Sequence, residues 1–432
     1  MKSLILFTSM VLFLASCQDK IMERYKVLSP VYMSYTDLRK AVKTSDANQD
    51  LNKPGKIYYW NNYLFINEQG KGIHVIDDQN PSQPVFKTFI EIPGNVDISI
   101  KDSILYADSY IDLVAIDISD ISNIKVVKRI DSIFTYTLPP VPENINMQWD
   151  EIDQKKGVVT GYNIKTVEKE FSNPPRIIYP FYDDYRINKV ASVQSYSNSN
   201  PGVSSPSANS GIGIGGSMAR IAIVGNALYA INNSTILIFD ISNVTNPVKQ
   251  NDFYVDWGIE TIFPYNNKLF IGSQSGMVVF DITNPFQPTN ESTFWHATSC
   301  DPVVVQGNYA YITLHSGTTC NSTTVNRLDI VNISNIQNPY LVKSYNMSDP
   351  HGLGIDSSTL FICDGDAGLK IYDVTDPVNM TDHLLAAYPD NKAMDVIPLG
   401  KILFMIGEQG FFQYDYRNLK NITLLSQINV KE

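Results

Sequence analysis

The chain has 432 residues, with 33 Lys and Arg set against 44 Asp and Glu for a formal net charge of −11. It holds no basic run, so a role in nucleic-acid binding finds no support. It is also longer than a typical single-core domain, a limit that repeat architectures evade.

At the N-terminus, Lys2 precedes the apolar run Leu4 to Leu14, which is broken only by Thr8 and Ser9. The run is too short for an ordinary spanning helix and reads as a secretory signal over residues 1–16. The ending Leu14-Ala-Ser-Cys17 is similar to a bacterial lipobox, which implies cleavage before Cys17 and lipidation of its thiol; the alternative is a plain signal followed by a chance Cys. Multiple acyl chains on Cys17 would give a stable membrane anchor. The location this implies is the cell envelope, lipid-anchored at the outer membrane, with cell surface and periplasmic face both open. A tether from Gln18 to about Tyr25 would carry the body. Within the extension 17–55, Val27-Leu28 and Val31 to Met33 suit a strand and Asp37 to Lys43 a helical turn or two. Residues 26–34 are candidates for a strand that helps to close a ring.

The strongest pattern is the cassette Gly276-Met-Val-Val-Phe-Asp281-Ile-Thr-Asn-Pro285. A short apolar run ended by Asp and then Asn-Pro reads as a buried strand entering a fixed turn. Copies end at Asp77, Asp117, Asp240, Asn332, Asp373 and Asp415. Successive markers lie 40 to 42 residues apart, except for intervals of 51 and 123. In the unit 95–134, four strands fit: Val96 to Ile100, Ile104 to Ala107, Leu113 to Ile118 and Lys125 to Ile130. Four strands in about 40 residues match one propeller blade. The predicted fold is all-β, a β-propeller of seven four-stranded blades with one long insertion after the second. Blades are expected at about 56–94, 95–134, 219–257, 258–297, 300–348, 350–390 and 391–430, so that the propeller spans 56–430. An eighth blade would have to hide in the insertion.

The cassettes resemble those of the LVIVD-repeat family of bacterial β-propeller-like proteins. The stretch from Cys300-Asp-Pro-Val to Leu360-Phe-Ile-Cys-Asp364 is similar to the Bacteroidota lipoprotein branch of that family. The resemblance implies the fold and the envelope location; it implies no common activity.

The insertion runs from about 135 to 218. Its first half, with the alternating Gly157-Val-Val-Thr-Gly-Tyr162, suits a hairpin on one rim. Ser195 to Gly216 is almost wholly Ser, Asn, Gly and Pro, a composition expected to give a mobile loop.

Several side chains are candidates for chemistry. Cys300 and Cys320 share one blade, and an envelope compartment permits a disulfide between them, worth roughly 3 kcal/mol; two unpaired thiols are the alternative. Cys363 suits a buried free thiol. His296, His315 and His351 fall near equivalent rims, but no tight ligand spacing joins them, so ordinary hydrogen bonds are expected and neither metal nor cofactor is assigned. The junction residues Phe134, Trp257, Trp295, Met347 and Tyr388 suit either inter-blade packing or a binding rim; Trp257, Trp295 and Tyr388, with the three His, form the candidate rim. Asp117, Asp240, Asp281 and Asp373 are expected to cap turns. Asp364-Gly-Asp366-Ala-Gly368 looks like a fragment of a calcium loop but lacks its bidentate Glu. No catalytic residue is assigned, since nucleophile elbow, phosphate loop and metalloprotease motifs are all missing.

Three functions compete. The first is a non-catalytic binding or scaffold lipoprotein with a protein or glycan partner, displayed by loops, insertion and an axial mouth. The second is a glycan hydrolase or lyase using carboxylates at that mouth. The third is a structural envelope protein.

Overall fold

The computed structural model describes residues 21–46, 50–140, 148–149, 152–171, 211–296, 302–316 and 325–431. The chain divides into two compact units, one formed by residues 1–33 and 138–200, the other by 34–137 and 201–432.

The larger unit is a seven-bladed β-propeller. Its blades span residues 54–91, 98–130, 221–254, 259–295, 303–346, 353–388 and 393–429, each built on four antiparallel strands in sequence order; the outer strand of blade 3 is split in two, and the sheet of blade 1 is extended by Ile214–Gly215 inside and Lys43–Ser45 outside. The innermost strands are Pro54–Trp60, Ile98–Lys101, Ile221–Val224, Ile259–Tyr265, Val303–Gln306, Leu353–Asp356 and Ala393–Leu399; each neighbours the next, and the last neighbours the first. The ring is thus closed, with the chain laid inner to outer in every blade. The starts of the inner strands and the turns between second and third strands share one rim, here the upper. The remaining turns form the lower rim.

Each blade is apolar on both faces, and neighbours bury those faces together. Leu64, Ile66 and Ile76 of blade 1 pack with Ile397, Phe404 and Phe411 of blade 7, which seals the ring without strand exchange. A buried polar contact supplements this seam, Gln413 Nε2 donating to Asp78 Oδ1 at 2.7 Å.

The cassette markers end the third strand of every blade in the same way. The side-chain oxygen of Asp77, Asp117, Asp240, Asp281, Asn332, Asp373 or Asp415 accepts the amide two residues on, at 2.7–3.1 Å. In six blades a second Asn or Asp, three residues further, repeats the bond: Asn80, Asp120, Asn243, Asn284, Asn335 and Asp376. These double turns lie on the lower rim, where they end the third strands.

Two sets of sequence expectations are corrected. The segment 26–34 closes no ring. Strand Ile21–Met33 belongs to the smaller unit and pairs antiparallel with Val158–Phe171, while Gln148–Trp149 adds parallel at Val27 and Leu28. The alternating stretch 157–162 therefore finds its partner in the N-terminal strand instead of forming a hairpin of its own, and a tether reaching Tyr25 is ruled out because the strand begins at Ile21. In the larger unit a short helix, Tyr35–Lys40, follows, capped by Ser34, whose hydroxyl accepts from Asp37 N.

The second correction concerns the Gly-rich tract. Its described end, 211–218, is ordered by pairing along the inner strands. Gly211 O accepts from Asp102 N and Trp60 Nε1 at the lower rim, both at 3.0 Å. Ile214 and Gly215 pair antiparallel with Tyr59 and Tyr58, and Gly213 N donates to Ile100 O. Ser217 Oγ accepts from Leu353 N at 2.9 Å, and Ala219 O accepts from Ile262 N at the same distance. The segment thus ascends the axis against the inner strands of blades 1, 2, 6 and 4 before entering blade 3. Composition suggested looseness, but glycine is needed there for close approach: a Cβ on Gly213 would stand 2.2 Å from the Tyr58 ring, and one on Gly216 2.0 Å from the Asp395 carboxylate.

Candidate functional site

The axial segment decides what the mouth of the propeller can do. Asp395, near the start of the inner strand of blade 7, is buried beneath it. Its Oδ1 accepts from Val396 N at 2.9 Å and lies 3.4 Å from Ser217 Oγ. Burial pushes the Asp395 carboxyl up to about 7, against the pull of the Val396 amide and Lys56. Asp97 Oδ2 accepts from the amides of Arg220 and Ile221, and Lys56 Nζ lies 3.6 Å from it. These axial carboxylates are thus bonded to the segment that leads into blade 3, or walled in by it, and do not open as a pair on an aromatic-lined mouth.

The candidate rim residues separate into three groups. Trp257 and Trp295 are 63 % and 66 % exposed, at the upper-rim junctions entering blades 4 and 5. Both junctions are fastened to the same turn of blade 4. Ser275 Oγ donates to Asp256 Oδ2 at 2.6 Å, beside Trp257, and Ser275 O accepts from His296 N at 3.1 Å, beside Trp295. Tyr388 behaves differently: it packs against the core shared by blades 6 and 7, and its hydroxyl accepts from Ile422 N at 2.9 Å. Phe134 and Met347 likewise pack against inter-blade cores. At these three junctions the bulky side chain joins blades; at the two Trp it faces solvent.

The three His do not converge as a set. His296 stays with Phe294 in blade 4, ring centroids 6.4 Å apart. His315, just beyond strand Tyr309–Leu314 of blade 5, meets His351, just before strand Leu353–Asp356 of blade 6, with ring centroids 4.5 Å apart. Asp349, which sequence reasoning passed over, completes this cluster, its Oδ2 3.0 Å from His351 Nε2. One donor atom from each of the three residues lies within 4.8 Å of the others. Burial and then the neighbouring His351 push the His315 imidazole below its ordinary value, which favours its neutral form.

The calcium-like fragment is spent structurally. Asp364 Oδ1 accepts from the amides of Ser348 and Asp349, and its Oδ2 pairs with Lys370, while Asp366 pairs with Lys392. Cys363 is a free, fully buried thiol, and burial pushes its pKa up. On the lower rim a polar cleft of about 420 Å³ opens between blades 1 and 2, lined in part by Trp60, Tyr63, Lys87 and Asp120. Cys17, Cys300 and Cys320 lie outside the described residues, as does the signal segment. Among the described residues no helix is long and apolar enough to cross a membrane.

Comparison with known proteins bears on the repeat and the fold. The family model of the LVIVD repeat matches residues 57–90, 215–253 and 298–347. No curated protein matches the chain. Among solved structures, a functionally unknown protein from Desulfotomaculum acetoxidans is similar at 11% identity and a TM-score of 0.50, over 85% of this chain and 95% of that one. Saccharomyces cerevisiae Sqt1 is similar at 9% identity and a TM-score of 0.49, over 93% and 89%. BamB from Moraxella catarrhalis is similar at 11% identity and a TM-score of 0.44, over 94% and 92%. At 11% identity the first of these likenesses concerns fold alone. The chain is thus a seven-bladed β-propeller in which the LVIVD repeat model matches three stretches, at blades 1, 3 and 5.

Proposed function

We propose that this protein is an envelope lipoprotein whose propeller is a non-catalytic binding module for a protein or glycan partner, engaged through the upper rim around Trp257 and Trp295. The observation that carries this reading is the pair of exposed indoles at equivalent junctions, both fastened to the turn at Ser275. Large aromatic side chains left in solvent while their counterparts at other junctions are packed away suit a surface that stacks on a sugar ring or fills a partner's pocket. The bonded and covered axial carboxylates favour binding over hydrolysis, since a glycosidase needs two carboxyl groups flanking an accessible bond. Lipidation at Cys17 would place strand Ile21–Met33 only a few residues from the membrane surface.

The test is recovery of a partner from native envelopes by crosslinking, paired with a glycan array, using the wild type and a Trp257→Ala/Trp295→Ala variant. A protein or glycan retained by the wild type and lost by the variant is the expected result. Equal retention by both would remove the rim from the reading, and failure of both assays to return any ligand would remove the binding role.

A further inference from the structure

We propose that His315, Asp349 and His351 form a binding site for one divalent cation of the zinc class, at the upper-rim junction of blades 5 and 6. This site is separate from the tryptophan rim and does not depend on it.

The geometry comes first. Zinc binds nitrogen and oxygen donors at about 2.0–2.2 Å, so two donors in a tetrahedral shell stand roughly 3.3 Å apart. Asp349 Oδ2 and His351 Nε2 are 3.0 Å apart, and all three donors fall within 4.8 Å of one another. Small side-chain rotations suffice to close the triangle on one ion. A simple Asp349–His351 hydrogen bond accounts for two members only. The second imidazole, packed 4.5 Å from the first, takes no part in that bond, whereas two imidazoles and a carboxylate so placed can share one cation.

The donors are also held by groups other than one another. The backbone of Asp349 is fixed by Asp364 Oδ1, which accepts its amide at 2.8 Å. His351 N donates to Cys363 O at 2.7 Å, and His351 O accepts from Thr313 Oγ1. Asn326 ties the two loops together, Nδ2 donating to Ser348 O at 2.6 Å and Oδ1 accepting from Ser316 N at 2.9 Å. The Ser316 carbonyl lies 3.2 Å from His315 Nδ1, so it accepts that proton in the matching neutral tautomer and puts the ring's lone pair on Nε2. Such outer contacts orient ligating imidazoles in metal sites. Two imidazoles with one carboxylate suit zinc, nickel or copper, whereas calcium and magnesium take shells of oxygen. Three protein donors leave a fourth position for water or for a donor from a bound partner. The Asp349 side chain is 44 % exposed, so an ion can reach the cluster.

The full chain, stripped of metal by chelation and dialysis, is titrated with zinc chloride by calorimetry and with Co(II) followed by visible absorption. One zinc per chain is expected, together with the d–d bands of a four-coordinate Co(II) site. His315→Gln and His351→Gln should each weaken zinc at least tenfold and abolish the cobalt bands; His296→Gln and His383→Gln should match the wild type. Melting in metal-free buffer checks that each variant is folded. Should a histidine variant fail that check, Asp349→Asn, at a partly exposed position, carries the same test. Absence of zinc binding in the wild type overturns the proposal. So does unchanged affinity in the His315→Gln/His351→Gln double variant or in Asp349→Asn, which would place the ion on other groups.

Discussion

Ser275 Oγ donates a 2.6 Å hydrogen bond to Asp256 Oδ2, tying the junction that enters blade 4 to a turn within blade 4. The other carboxylate oxygen of Asp256 accepts from Trp257 N at 2.7 Å, so the serine holds the residue that orients the indole. Ser275→Ala should release this junction without unfolding the blade. The expected result is faster amide hydrogen exchange at residues 256–258, with a stability loss of about 1 kcal/mol, the typical worth of one such bond. Unchanged exchange there would show that the junction is fixed by other contacts.

The double turns on the lower rim make a second prediction. Asn332 fills the same role as the six Asp markers, accepting from Ser334 N at 2.9 Å, so an uncharged acceptor suffices. Asp240, whose Oδ1 accepts from both the amide and the hydroxyl of Ser242, should tolerate Asn and resist Ala. Chemical denaturation should place Asp240→Asn near the wild type and Asp240→Ala about 1 kcal/mol or more below it. Equal losses would mean that charge matters more than the turn.

Asp395 should make stability depend on pH. Its carboxyl has an ordinary value of 3.8 and is pushed up to about 7 by burial. The folded state therefore binds this proton more tightly than the unfolded state does. The contribution is most favourable below pH 3.8 and is lost progressively as pH rises to about 7. Each unit of separation corresponds to about 1.4 kcal/mol. Asp395→Asn keeps an acceptor for Val396 N and never ionises, so its stability relative to the wild type should climb between pH 4 and pH 7. Asp78 and Asp108, both pushed up to about 6 by burial, are present in both proteins and cancel in the difference. A difference that does not vary with pH would contradict this account.

The seam between blades 1 and 7 gives another. Gln413→Ala removes the donor that reaches the buried Asp78 across the closing contact. An unsatisfied buried acceptor costs about 1–3 kcal/mol. Asp78→Asn/Gln413→Ala should be no worse than the single Gln413→Ala, because a neutral amide is less costly to strand than a carboxylate. Thermal melts of the three proteins check the order.

The axial segment can be tested by volume. Gly213→Ala and Gly216→Ala would each set a Cβ within 2.2 Å of a neighbour and should cost about 1–3 kcal/mol. Gly161, which has open space around its would-be Cβ, supplies the control and should accept Ala with little loss.

What the sequence reveals follows from the range of the interactions. Blade number and order are legible because each cassette is local: an apolar strand, an Asp or Asn, then in five of the seven Ser or Thr two residues on, with Gln79 and Arg417 in the others. The second acceptor three residues further was also in view, at Asn80, Asp120, Asn243, Asn284, Asn335 and Asp376, and went unused. The pairing of 21–33 with 158–171 carries no such mark, because nothing in either strand names its distant partner. The run Gly211-Ile-Gly-Ile-Gly-Gly216 was read by composition as looseness, although alternation of Gly with Ile is equally the pattern of a strand in a tight place. His315 and Asp349 met only once the upper rim was known to gather two different kinds of loop.

The axial segment has a consequence for assembly. A wheel whose hub is a piece of its own chain, delivered between the second and third spokes, has its centre covalently tied to its circumference. Residues 211–218 pair with blade 1 and bond to blades 2 and 6, so the insertion is a structural member of the ring and not an appendage that can be cut away whole.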